Sequence, residues 1–305
     1  MDVVLSEEVR LAREAGRAVV VLESSVLAQG LPFPENLASA RACAAAVRAA
    51  GAVPAVVAVV DGRVRCGLAS GEVEALARGA PPARKVGARD LAPAVAEGAS
   101  AGTTVSATCA VAAALGLPVF ATGGIGGVHP GGTGDVSEDL QALSRFAGMV
   151  VCAGAKSVLD VPRTLEALES LGVLVVGYRT GDFPGFYTRS SGLRLTHRVE
   201  DVASAARLLG IHRERLGQRG ALLLCVPPPA EVALEEAEVK EALRAAHAEV
   251  VRQGVQGQAL TPFLLRDLAR ATSGRTLTAN LALLEQNARL AAEVAVAYAR
   301  PGAGQ

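Results

Sequence analysis

From residue 18 onward, short runs of aliphatic and β-branched residues alternate with alanine-rich stretches whose apolar positions recur at helical spacing. The short runs are apolar throughout, the pattern of strands covered on both faces, so the chain reads as β-α units around a mostly buried sheet. Strands are predicted over residues 18–23, 54–60, 64–67, 118–122, 149–153, 173–178 and 221–226. Asp61-Gly62, between the second and third of these, is a tight-hairpin pair; it adds an antiparallel partner and makes the predicted sheet mixed.

Helices are predicted over residues 35–50, 72–77, 107–115, 138–146, 162–171, 202–217 and 235–253. Two more close the chain, one opened by Thr261-Pro262 with proline in the first turn and one over residues 280–299. Pro227-Pro228-Pro229 follows a strand directly and leads into a helix, so it reads as a stiff turn inside a single domain of residues 1–305. A layered α/β fold with a mixed sheet and a helical C-terminal region is expected.

Half of the 305 residues are hydrophobic and 20% are charged, which supports a large core and excludes a disordered or fibrous chain. The apolar runs, such as residues 19–22 and 149–151, fall far short of the roughly 20 residues that span a bilayer. The opening MDVVLSEEVRLAREAG places acids early and lacks a basic stretch leading into an apolar one, so a cytoplasmic protein is expected. Thirty basic and thirty acidic residues cancel, leaving no global field for nucleic acid or an anionic membrane. With no Trp, three Tyr and six Phe there is also little surface for stacking bases, so a small-molecule partner is expected. The five cysteines show no Cys-x-x-Cys pair and read as reduced core residues, with Cys152, near Lys156, the one candidate for a reactive thiol.

The basic residues are 27 Arg and three Lys: Lys85, Lys156 and Lys240. Where Arg serves as the general surface cation, a retained Lys suggests a role that guanidinium cannot fill, and an amine nucleophile is the obvious one. Lys240 lies in a stretch of mixed charges that reads as a solvated helix face. Lys156, in MVVCAGAKSVLDVPRTLEAL, follows the end of an apolar strand, the edge of α/β sheets where ligands bind. Desolvation there would favour its neutral amine, and pairing with Asp160 is the structural alternative. The Lys156-Ser157 pair lacks the glycine spacing of a nucleotide-binding P-loop.

Glu23 ends the run VVVLESS and would place a carboxylate at a strand tip, suited to a general acid, although many strands end in a charged residue. TGGIGGVH, residues 122–129, leaves a strand through four glycines whose N–H groups could cradle a phosphate. It misses the last glycine of a dinucleotide fingerprint, which argues against a nicotinamide enzyme. His129 could meet the phosphate or simply pack in its loop. Asp135, Glu138 and Asp139 offer hard oxygen ligands for Mg²⁺ or Mn²⁺, or else, with Ser137, form an ordinary helix start. Asn280 reads as a residue near another helix start.

Taken together, LESSVLAQGLPFPEN, RKVGARDL, TTVSAT, TGGIGGVH, DVSEDL, CAGAKSVLDVPRTLE, TGDFPGFYTR and TPFLL resemble the pseudouridine-5'-phosphate glycosidases, the indigoidine synthase A-like family, over about residues 5–300. The resemblance implies a three-layer α/β/α sandwich, a bound Mn²⁺ and a homotrimer. It implies reversible cleavage of pseudouridine 5'-phosphate to ribose 5-phosphate and uracil. By matching positions, Lys156 would be the covalent nucleophile, Glu23 the proton donor and Asp135 the metal ligand. Lys85, Val105, Ser137, Glu138 and Asp139 would line the substrate site, with Thr122, His129 and Asn280 around it. The C–C bond to the base needs an electron sink, which a Schiff base on Lys156 would supply. Another lysine-dependent lyase acting on a C-nucleotide or sugar phosphate, and a non-catalytic sugar-phosphate sensor, are the alternatives.

Overall fold

The computed structural model describes residues 1–80, 82–131, 134–255 and 260–300. Among these residues eleven strands form one sheet: β1 (Val4–Leu5), β2 (Val19–Leu22), β3 (Val53–Val60), β4 (Arg63–Cys66), β5 (Arg84–Val86), β6 (Ala101–Thr103), β7 (Val119–Ala121), β8 (Met149–Cys152), β9 (Leu174–Tyr178), β10 (His197–Val199) and β11 (Leu222–Cys225). Their order is β1-β4-β3-β2-β7-β8-β11-β9-β10, with β6 paired to β3 and β5 to β6. From β3 to β10 every neighbour on this path is parallel, whereas β3 pairs antiparallel with β4 and β6. The sheet is therefore mixed, as Asp61-Gly62 predicts. Both turn residues adopt left-handed backbone, φ 48° and 71°, the hand that matches the twist of paired strands.

The central strands β2, β7, β8 and β11 are buried along their whole length, which explains runs of Val and Leu without alternation. Each such side chain taken fully out of water contributes about 1.5–3 kcal/mol. The closing helix, Arg275–Tyr298, packs on β2, β7 and β8 and against the helices Glu35–Ala49 and Val202–Gly210. It buries Leu283, Leu284, Ala288, Ala291 and Val294. The closing helix thus belongs, with those two, to one helical layer of an α/β/α sandwich. Elsewhere, Val105–Leu115 packs against Glu138–Leu143, next to the carboxyl ends of the strands.

Part of the difference from the sequence expectation lies in short strands. β1, β5, β6 and β10 have two or three residues each, too few for a period, and exist because a neighbouring strand pairs with them. Helices Glu7–Glu14, capped by the Ser6 hydroxyl, and Leu91–Ala96 were likewise not predicted. The predicted helix over residues 202–217 becomes an α-helix ending at Gly210 followed by a single π turn, Ile211–Arg215. Residues 138–146 stop at Leu143, and the last helix starts five residues early, at Arg275, after Gly274 in left-handed conformation.

Candidate active site

The parallel register of β2, β7 and β8 brings three sequence-distant segments to one edge. Leu22 pairs with Ala121 and Ala121 with Val151, so Glu23 and Thr122 leave adjacent strand ends. The chains after β7 and β8 stay together through the bridge Ile125–Ala155 and the bond from Lys156 N–H to the Ile125 carbonyl, 3.0 Å. Lys156 thus stands two strands from Glu23 on the same edge, where sheets of this kind present their ligands.

Glu23 is held at both carboxylate oxygens. Ser25 donates its hydroxyl to Oε2 at 2.5 Å and Thr122 donates to Oε1. The intervening Ser24 turns the other way, donating to the Val57 carbonyl at 2.5 Å and accepting the Thr103 N–H at 2.9 Å. Fully buried, Ser24 pins the strand end to β3 and β6 and so aims its neighbour.

Two adjoining cavities meet at the lysines. A small inner chamber of about 40 Å³ is lined by Glu23, Lys85, Lys156, Asn280, Phe186 and Gln29 among others. An outer cleft of about 270 Å³ is lined by Lys85, Lys156, Arg89, His129, Ser106 and the acidic segment Asp135 to Asp139. Lys85 and Lys156 border both. Burial, and next the positive charge of Lys156, push the Lys85 amine below the usual lysine range, while the Asp139 and Glu23 carboxylates act to raise it. A larger cavity of about 580 Å³ runs along β9 and β10 but contains none of these residues.

The acidic segment serves the scaffold as well as the cleft. Ser137 caps helix Glu138–Leu143 by accepting the Asp139 N–H at 3.2 Å. Asp139, buried, accepts the Ser106 N–H at 2.9 Å and the Gly126 N–H at 2.8 Å, joining two loops. Glu138 accepts the Arg89 N–H at 2.9 Å and the Ser106 hydroxyl at 3.1 Å. Asp135 is exposed on the cleft wall, and its carbonyl accepts the His129 N–H. His129 lines the cleft with a buried Nδ1 that has no hydrogen-bond partner. Val105 is 1% exposed and lines neither of the two cavities.

Part of the backbone of the glycine loop is already bonded within the protein, while Gly123 and Gly124 line the inner chamber. The N–H groups of Ile125, Gly126, Val128 and His129 are bonded to Gly154, Asp139, Thr164 and Asp135. A Cβ at Gly124 would lie 2.6 Å from the Phe186 ring, at Gly126 2.2 Å from Ser137 Oγ, and at Gly127 2.4 Å from Thr164 Oγ1. These glycines permit close packing of protein on protein. All five cysteines are free and buried, and burial pushes the Cys43 and Cys66 thiols up to about 12. Cys152 is fully buried beside Cys225 in the sheet, a core position.

Residue-by-residue reading of the sequence missed Ser25, Ser106, Phe186 and Asn287. Asn287, fully buried on the closing helix, donates to the Thr122 carbonyl at 2.9 Å and so ties that helix to the site. Ser25 could have been suspected from its place two residues after Glu23; nothing local marks Asn287.

The family model described as "Indigoidine synthase A like protein" matches residues 8–297. A protein of Myxococcus xanthus named pseudouridine-5'-phosphate glycosidase is 55% identical over 98% of this chain and 99% of its own length. One of the same name from Caldanaerobacter subterraneus is 47% identical over 96% and 95%. Among solved structures, an indigoidine synthase A-like protein of Thermotoga maritima superposes with a TM-score of 0.89 at 38% identity, covering 98% of this chain and 97% of that one. The prealnumycin C-glycosynthase in complex with ribulose 5-phosphate superposes with a TM-score of 0.88 at 36% identity, covering 97% of each. With its layered mixed sheet and a site at the carboxyl edge, the chain belongs to the indigoidine synthase A-like family.

Proposed function

We propose that the protein reversibly cleaves the C–C glycosidic bond of pseudouridine 5'-phosphate, giving ribose 5-phosphate and uracil. The observation that carries this reading is the convergence of Glu23, Lys156, Lys85 and Asn280 on one chamber that opens into a cleft bearing Lys85, Arg89 and His129. Lys85 and Arg89 on the cleft wall are cations that can meet a phosphate. The names of the relatives point to the same substrate.

In this mechanism the Lys156 amine bonds to C1' while the C1'–O4' bond breaks and Glu23, as an acid, delivers a proton to O4'. The nitrogen then returns a proton to the Glu23 carboxylate. As C5 of the base is protonated, the C1'–C5 bonding electrons pass to the uracil ring and the nitrogen lone pair forms a C1'=N iminium. Water adds to C1', the amine departs, and the free aldehyde closes to ribose 5-phosphate. Ser25 and Thr122 orient the Glu23 carboxyl group for these transfers.

Among the described residues no three Asp, Glu, His or Cys side chains are grouped to hold a metal. What the site offers is the exposed Asp135 carboxylate on an open, wettable wall, which fits a hard ion that keeps most of its waters. Mn²⁺ held there by Asp135 would neutralise phosphate charge when bound. By the same resemblance the working form is a homotrimer in the cytoplasm. No helix of the described residues is long and apolar enough to cross a membrane.

The test is borohydride reduction in the presence of ribose 5-phosphate, followed by peptide mass spectrometry. A ribityl phosphate adduct on the Lys156 peptide is expected. An inert enzyme that still binds ribose 5-phosphate would favour the sensor. A preference for another C-nucleotide would favour the related lyase, a reading kept open by the likeness to a C-glycosynthase.

A further inference from the structure

The turn Ala88–Asp90 follows the strand that carries Lys85 and places Arg89 on the wall of the outer cleft. The first N–H groups of such a turn have no partner within it, and a Ser, Thr, Asp or Asn just before it usually accepts one. Here the preceding residue is Gly87, whose own N–H is bonded to Asp90 Oδ2 at 3.2 Å and which has no side chain to accept anything.

The missing acceptor comes from another part of the chain. Glu138 Oε1 accepts the Arg89 N–H at 2.9 Å, and the Ser106 hydroxyl accepts the Ala88 N–H at 3.1 Å while donating to Glu138 Oε2 at 3.1 Å. A Cβ on Gly87 would lie 2.1 Å from Glu138 Oε2 and 3.1 Å from Ser106 Oγ. The carboxylate therefore fills the space of a side chain at residue 87. Backbone conformation does not demand glycine there, since φ is −88° and ψ −179°, extended values open to any residue.

We propose that Glu138 is a positioning residue: it caps the turn after Lys85 from a distant helix, and position 87 is glycine because Glu138 occupies its side-chain space. The inference deepens the glycosidase reading only in that Lys85 and Arg89, the groups it holds, face the outer cleft. It also gives Glu138 a role other than touching substrate.

The test compares Glu138→Ala, Glu138→Gln and the double variant Gly87→Ser/Glu138→Ala. A serine hydroxyl at residue 87 can accept the N–H two residues on, which replaces the distant cap by a local one. In Glu138→Ala, hydrogen–deuterium exchange of the segment 85–91 should speed up about tenfold and KM for pseudouridine 5'-phosphate should rise about tenfold, by more than kcat falls. The double variant should recover the exchange rate to within about threefold, and Glu138→Gln, which keeps one oxygen acceptor and the overall shape, should exchange at a rate near the parent's. Unchanged exchange in Glu138→Ala would overturn the proposal, as would a double variant whose exchange stays fast. Exchange is read without substrate, so a parent enzyme inert towards pseudouridine 5'-phosphate would count against the glycosidase reading and leave the cap standing.

Discussion

Thr122, at the end of β7, donates its hydroxyl hydrogen to the carboxylate of Glu23, at the end of the neighbouring parallel strand β2, while Ser25 holds the other oxygen. The carboxylate is thereby oriented towards the chamber it shares with Lys156. Thr122→Val keeps the shape and removes the donor, at a cost of about 1.5–3 kcal/mol for a bond to a charged group. Steady-state kinetics should show kcat lower by about 10- to 100-fold with KM little changed, and Thr122→Ser should restore most of it.

Lys156→Arg preserves charge and removes the primary amine. Turnover should fall by about a thousandfold or more, because guanidinium is not a nucleophile at ordinary pH. The same variant should give no adduct on borohydride treatment. Substantial remaining activity would rule out the covalent route.

Lys85 should destabilise the fold near neutral pH. Its folded pKa is lowered by burial and by Lys156, so at low pH, where folded and unfolded chains both carry the proton, the native state bears the whole penalty. As pH rises from the lowered value to the ordinary one near 10.5, the penalty disappears. Lys85→Met should therefore raise the unfolding midpoint at pH 7, with the gain shrinking towards pH 10.5, while substrate affinity drops. A gain that grows with pH would contradict this sign.

Gly124→Ala and Gly71→Ala should behave oppositely. A Cβ at Gly124 meets the ring of Phe186, a buried side chain with left-handed backbone, and the Gly154 carbonyl at 2.9 Å. Neither can move cheaply, so denaturant unfolding should show a loss of about 1–3 kcal/mol. Gly71, in helix Ser70–Arg78, has nothing within 4 Å, and alanine there should gain up to about 1 kcal/mol.

Chelation followed by Mn²⁺ titration tests the metal. Activity should fall on chelation and return with Mn²⁺, and Asp135→Asn should shift the titration to about tenfold higher metal, as loss of one charged oxygen ligand implies. A rate untouched by chelation would remove the ion from the site.

Legibility followed length and locality. The apolar runs at β2, β3, β7, β8 and β11 could be read directly, because a strand buried on both faces must be apolar along its length. Glu23 and Lys156 stood out as polar residues at or soon after the ends of such runs. The two- and three-residue strands β1, β5, β6 and β10 could not, since only pairing with a neighbour makes them strands. The glycine loop was visible as a special segment, yet its glycines answer to Phe186, Ser137 and Thr164, contacts no local pattern encodes.

The sequence by itself determined the layered α/β class, the hairpin at Asp61-Gly62 and the segments that resemble one family, because periodicity, turn chemistry and ordered motifs are properties of neighbouring residues. Only the tertiary structure decided which groups act on one another. Strand order set Thr122 beside Glu23, helix packing brought Asn287 under the Thr122 carbonyl, and loop closure carried Glu138 into the space left by Gly87. Those relations depend on distances of a few ångströms between residues 51 to 165 positions apart, and such distances exist only once the sheet and its helices have packed.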